Sequence, residues 1–127
     1  MSGEREIMRL KYAFAMHMVQ VVIEADEIIL PEEEAYFEEC FPQELIESLN
    51  LVDEQVRKSL YEQAVDVLPQ CLSLEEKLDL FGMFLGASVS DGEMEFREFG
   101  VLETAAAILA IPHEEVVAYF DRMFDER

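Results

Sequence analysis

The sequence predicts an all-α fold, a compact bundle of about six to seven helices with an internal pseudo-duplication, in a single domain over residues 1–127. Three observations carry this expectation. Apolar residues recur at three- and four-residue spacing in one segment after another, and no segment shows sustained strand-like alternation. Gly and Pro number 5 and 4, too few for long disordered linkers. Hydrophobic residues make up 51% of the chain, enough for a core, and charged residues 30%, enough to keep it soluble.

The first helix is expected from about Arg5 to Ala25, with Ile7, Leu10, Phe14, Met18, Val21 and Val22 in helical register. Its second half is apolar nearly all round, which places it at the bundle centre. A turn follows over residues 26–30. Pro31 suits the first position of the next helix, where its missing N–H has no partner to lose. Glu32, Glu33 and Glu34 then fall in the first turn, where the helix dipole favours anions. That helix ends near Phe41-Pro42, and a short one follows over Gln43–Leu49.

Asn50 is expected to cap the next helix, with Asp53 and Glu54 in its first turn and Val52, Val56, Leu60, Ala64 and Val67 as its buried stripe. Pro69 is expected to end it. Ser73-Leu74-Glu75-Glu76 matches a capping box for a helix that places Leu74, Leu78, Phe81, Leu85 and Val89 on one face. Gly82, Gly86 and Ser90 follow at four-residue spacing. Each internal Gly costs about 1 kcal/mol relative to Ala, so a tight helix crossing is the expected cause. Asp91-Gly92 stops that helix. Phe99, Leu102, Ala106 and Leu109 define the following buried face, and Ile111-Pro112 breaks the chain again. Val116, Phe120, Met123 and Phe124 form the apolar side of the last helix, with Glu114 and Glu115 in its first turn.

Charge is the most unusual property. Nine Lys plus Arg face 29 Asp plus Glu, for a net charge of -20. Such a surface repels phosphates and anionic headgroups, so nucleic acid is excluded as a partner. Cations and basic protein surfaces are favoured, although high charge also serves solubility alone. No Lys or Arg lies between Lys11 and Arg57, a span with twelve acidic residues. Self-repulsion there weakens the fold unless something cationic relieves it. Residues 1–6 lack a signal peptide's apolar stretch, and the longest apolar runs, such as 80–89, are shorter than the ~20 residues a bilayer span needs, so no membrane insertion is expected. Cys40 and Cys71 form no CxxC pair, and Cys40 reads as a buried free thiol, fitting a reducing cytoplasm.

Two stretches share one layout at an offset of 65. Asp26 aligns with Asp91, Ile29 with Met94, Glu33 with Glu98, and Glu38 with Glu103. Each is an apolar helix, a closing Asp, an acidic turn, and a helix with Glu in its first turn. Ser90-Asp91-Gly92-Glu93-Met94 followed by Glu98 resembles the Ala-Asp-Gly-x-hydrophobe motif of TerB-like (tellurite-resistance) proteins, with Ser90 in place of Ala. Ala25-Asp26-Glu27-Ile28-Ile29 with Glu33 is the more divergent copy, with Glu27 in place of Gly. The resemblance spans about Phe14 to Phe124. It implies a compact helical bundle, a bacterial cytoplasmic setting, a link to tellurite or other stress responses, and a metal-binding acidic site.

The candidate site is therefore Asp26, Glu33, Asp91 and Glu98. If the two hairpins pack about a pseudo-two-fold axis, four carboxylates converge, and such oxygens suit hard cations such as Ca²⁺, Mg²⁺ or Mn²⁺. The turn preferences of Asp and Gly and the dipole preference of Glu generate the same pattern without any ligand. An EF-hand is excluded. Counting from Asp91, its central Gly falls on Phe96 and its bidentate Glu on Leu102; counting from Asp26, the third position is Ile28. His17 and Asp26 would face opposite sides of one helix, about 13 Å apart along its axis. His17 reads as a satisfied or partly buried polar residue and His113 as exposed, which disfavours zinc. No GxSxG, P-loop, GxGxxG or HExxH is present, so no enzyme is expected. The functional expectation is a stress-associated binding domain that holds a divalent cation through these carboxylates. The alternative is an acidic protein-interaction module that docks a basic partner without metal.

Overall fold

The structure, a computed structural model, describes residues 2–24, 31–88 and 96–125. Within these helices the side chains of Ser2, Glu33, Leu85 and of residues 87–88, 96–99 and 123–125 are not described. Seven helices are seen among the described residues: α1 (Ser2–Glu24), α2 (Pro31–Cys40), α3 (Gln43–Ser48), α4 (Glu54–Cys71), α5 (Leu74–Ser88), α6 (Phe96–Ile108) and α7 (His113–Asp125). The all-α expectation holds, and no strand occurs among the described residues.

The sequence of α1 explains why it lies at the centre. Leu10, Ala13, Phe14, Ala15, Met16, Met18, Val19, Val22 and Ile23 are all buried, covering most of its circumference. It packs against α2, α4, α5 and α6. Phe14 is fully buried, stacked on Tyr61 of α4 with ring centroids 5.7 Å apart and tilted against Phe84 of α5. Burial of one such side chain stabilises the fold by about 1.5–3 kcal/mol. On the far side of α5, Phe81 meets Tyr119 and Phe120 of α7 edge-on, each at 5.7 Å.

Two connections differ from expectation. Asn50 does not cap α4. It closes α3 in the left-handed region (φ 58°), where its N–H reaches Glu47 O at 3.1 Å and the N–H of Leu51 reaches Ile46 O at 2.9 Å, the paired bonds of a Schellman turn. The cap of α4 is Asp53, whose carboxylate accepts from the N–H groups of Gln55 (2.7 Å) and Val56 (3.4 Å). Asn is a favoured N-cap residue and also tolerates the left-handed conformation, and here the second property applies. Val52, ahead of the cap and off the helix, is 55% exposed, and the fully lodged residues of α4 are Leu60, Ala64 and Leu68.

Pro69 does not end α4 either. It lies inside the last turn, where it removes a single donor. Leu72 N–H still reaches Leu68 O at 3.0 Å, and the Gln70 amide donates to Asp66 O at 3.1 Å. The capping box at α5 forms as expected, with Ser73 N–H on Glu76 Oε1 (3.1 Å) and Glu76 N–H on Ser73 Oγ (3.2 Å). The buried face of α5 is centred on Leu80, Phe81 and Phe84, whereas Leu74 is 40% exposed. On α6, Leu102, Ala105, Ala106 and Leu109 are buried, in line with the expected face.

The small-residue row of α5 accommodates tyrosine side chains, not another backbone. A Cβ on Gly86 would collide with the Tyr36 hydroxyl, and one on Gly82 with the Tyr119 hydroxyl. Tyr36 donates to Met83 O at 2.7 Å and so fastens α2 to α5. Burial, reinforced by the adjacent Cys40 thiol, pushes the Tyr36 phenol well above its ordinary range.

Candidate functional site

Of the four carboxylates singled out by the sequence, Asp26 and Asp91 lie outside the described residues, as do the side chains of Glu33 and Glu98. The helical positions of the two glutamates are defined. Glu33 lies on α2 and Glu98 on α6, 65 residues apart. The shared layout thus places both glutamates on helices. Among the described residues no cluster of three or more His, Cys, Asp or Glu side chains could hold a metal ion.

The histidines stay apart from any such cluster. His17 is solvent-accessible on α1, and one side of its ring is covered by Tyr61, stacked with centroids 3.8 Å apart. This cover partly desolvates the imidazole and lowers its pKa. His113 opens α7 and is exposed, as expected. Both cysteines are free. Cys71 is exposed and Cys40 only half-buried, where desolvation raises its thiol pKa above the usual value. No helix among the described residues is long and apolar enough to cross a membrane.

The acidic third of the chain borders a groove that sequence reasoning did not locate. It has a volume of about 510 Å³ and is lined by α1, α2, α3 and α4. Met16 and Ile23 of α1 are almost fully buried there, while Phe37 of α2 and Ile46 of α3 are half-buried. Glu24, Glu34 and Glu38 bring three exposed carboxylates to the same groove. A signal for it existed in Glu34, Phe37 and Glu38, whose three- and four-residue spacing puts them on one side of α2. What the sequence could not supply was the convergence of α1, α3 and α4 on that side.

The arginines nearby hold backbone carbonyls, and Arg9 also pairs with Glu6. Arg57 of α4, also lining the groove, donates through Nη1 to Leu51 O at 2.9 Å and Val52 O at 3.1 Å. Arg9 donates through Nε to Leu49 O at 2.9 Å, and Arg5 through Nη2 to Ser48 O at 3.0 Å. Together these side chains pin the α3–α4 connection. Only two ion pairs occur among the described residues, Arg9–Glu6 at 3.3 Å and Lys11–Glu76 at 4.0 Å. Among the described residues most carboxylates are therefore left without a partner of opposite sign in direct contact.

Comparison with protein families supplies one match: a sequence model of the family described as tellurite resistance protein TerB covers residues 12–120. Comparison with curated proteins and with solved structures finds no match.

Proposed function

This chain belongs to the TerB family, and from that premise we propose that it is a stress-associated binding domain that holds a divalent cation through Asp26, Glu33, Asp91 and Glu98. The observation that carries the reading is the register of α2 and α6. Glu33 and Glu98 stand 65 residues apart on α2 and α6, each seven residues after an Asp. Four carboxylates are hard oxygen donors, a set that fits Ca²⁺, Mg²⁺ or Mn²⁺ better than zinc. Gathered without a cation, they would repel and raise one another's pKa, so an ion would offset a cost intrinsic to the arrangement. The role is binding, not catalysis. The setting we assign is the cytoplasm, consistent with two free thiols.

Calorimetric titration of Ca²⁺, Mg²⁺ and Mn²⁺ into metal-free protein tests this. One of the three should release heat at a stoichiometry near one and raise the melting temperature, because a ligand at 100 times its Kd stabilises by about 2.7 kcal/mol. Asp26→Asn and Asp91→Asn should each abolish that shift, while Glu114→Gln on α7 leaves it intact. Absence of both heat and thermal stabilisation at millimolar metal would refute the cation site.

A further inference from the structure

We propose that the groove between α1, α2, α3 and α4 docks a basic, amphipathic segment of a partner protein. An apolar side chain of the partner would rest against Phe37 and Ile46, with an arginine or lysine among Glu24, Glu34 and Glu38. This inference is independent of the cation reading, since it uses none of the four carboxylates assigned there.

Charge complementarity identifies the occupant. The groove belongs to the stretch between Lys11 and Arg57 in which twelve acidic residues meet no Lys or Arg. Among the described residues lining it, the one cationic side chain is Arg57, and its guanidinium is held by the Leu51 and Val52 carbonyls. Glu24 is oriented by the Gln20 amide, which donates to its Oε1 at 3.2 Å. An incoming guanidinium or ammonium would relieve repulsion among the three carboxylates. An apolar side chain of the partner seated on the wall beside them would exclude water and strengthen that attraction. At about 510 Å³ the groove is large enough for a few side chains and falls in the range of specific binding pockets. Phosphate-bearing partners are repelled by the same carboxylates.

The proposal can be tested by fluorescence anisotropy with a labelled peptide of about four helical turns, its leucines and arginines spaced to form an amphipathic helix. At an ionic strength of about 0.15 M, the double variant Glu34→Lys/Glu38→Lys should weaken binding at least about tenfold. The control Glu103→Lys/Glu114→Lys, with the same change in net charge, should weaken it less than about threefold. A peptide with serine for leucine at unchanged charge should also bind at least about tenfold more weakly. In the unmodified protein, amide resonances of Gln20, Phe37 and Ile46 should move on titration, a readout that needs no variant to fold. Chelator should leave the affinity unchanged, which separates this proposal from the cation site. Equal loss in the two double variants, undiminished binding of the serine peptide, abolition by chelator, or resonance shifts spread evenly over the surface would each overturn it.

Discussion

The segment from α2 through α3 and the single helix α6 occupy corresponding places in the two copies, and they differ in one respect. Both carry matched glutamates at an offset of 65, Glu33 with Glu98 and Glu38 with Glu103. Both end in the same Schellman turn, with Asn50 and Ala110 each at φ 58° and identical paired bonds, Leu51 to Ile46 in one and Ile111 to Ala106 in the other. These turns are 60 residues apart, so the first copy holds five residues more, and it is the copy that is broken, at Phe41-Pro42. The break lies between Phe37 and Glu38 on one side and Ile46 on the other, all three lining the acidic groove. The break between α2 and α3 lies beside this concave surface, and the segment still closes in the same left-handed turn as α6.

The comparison is tested most severely at the residue following each left-handed turn. Leu51 is 1% exposed and Ile111 7%, so Leu51→Ala should cost about 3–4 kcal/mol and Ile111→Ala about 2–3 kcal/mol in urea unfolding. A reversed order would mean that the two turns anchor their copies unequally in the opposite sense. A smaller effect should come from the turn residues themselves. Ala110 carries a Cβ in a conformation that costs an L-residue roughly 1–2 kcal/mol, whereas Asn visits it readily. Ala110→Gly should therefore stabilise by about 1 kcal/mol, and Asn50→Gly should change stability by no more than about 0.5 kcal/mol. Equal effects at the two sites would contradict the view that the same backbone is strained in one copy and accommodated in the other.

The smallest predicted difference concerns acid. His17, on α1 of the first copy, has its pKa lowered from 6.5 by partial burial against Tyr61. The folded state thus binds fewer protons, and the associated stability, complete above pH 6.5, declines as pH falls through the depressed value. Glu76, at the start of α5 in the second copy, has its pKa lowered from 4.5, first by the Ser73 backbone N–H and then by the Ser73 hydroxyl. Its contribution is complete above pH 4.5 and is lost below that value as the carboxylate protonates. Titration followed by NMR should show two separate steps, the first removed by His17→Gln and the second by Glu76→Gln. A single step shared by both variants would argue against the assignment.

Features governed by near neighbours were legible in the sequence. The Ser73–Glu76 box and the Ile111-Pro112 break both form where local chemistry places them. Features decided across the fold were not. Asn50 has two local uses, and packing of Leu51 selects the one observed. Ala110 offers no local sign of a positive φ, because its conformation is imposed by burial on either side. Gly82 and Gly86 announced a close approach but not that Tyr119 and Tyr36 make it. As to the site, the acidity of the first third was visible at once, yet the groove depends on four helices meeting. The turns bearing Asp26 and Asp91 fall outside the described residues.

The central position of α1 has a consequence for how the protein is made. Its apolar surface is synthesised first, but α4, α5 and α6, which cover most of it, come later in the chain. At translation rates of roughly 5–20 residues per second, several seconds separate the emergence of α1 from that of α6. Throughout that interval α1, with its many side chains that end up buried, has no finished shelter. Its dependence on early chaperone contact should therefore exceed that of any later helix.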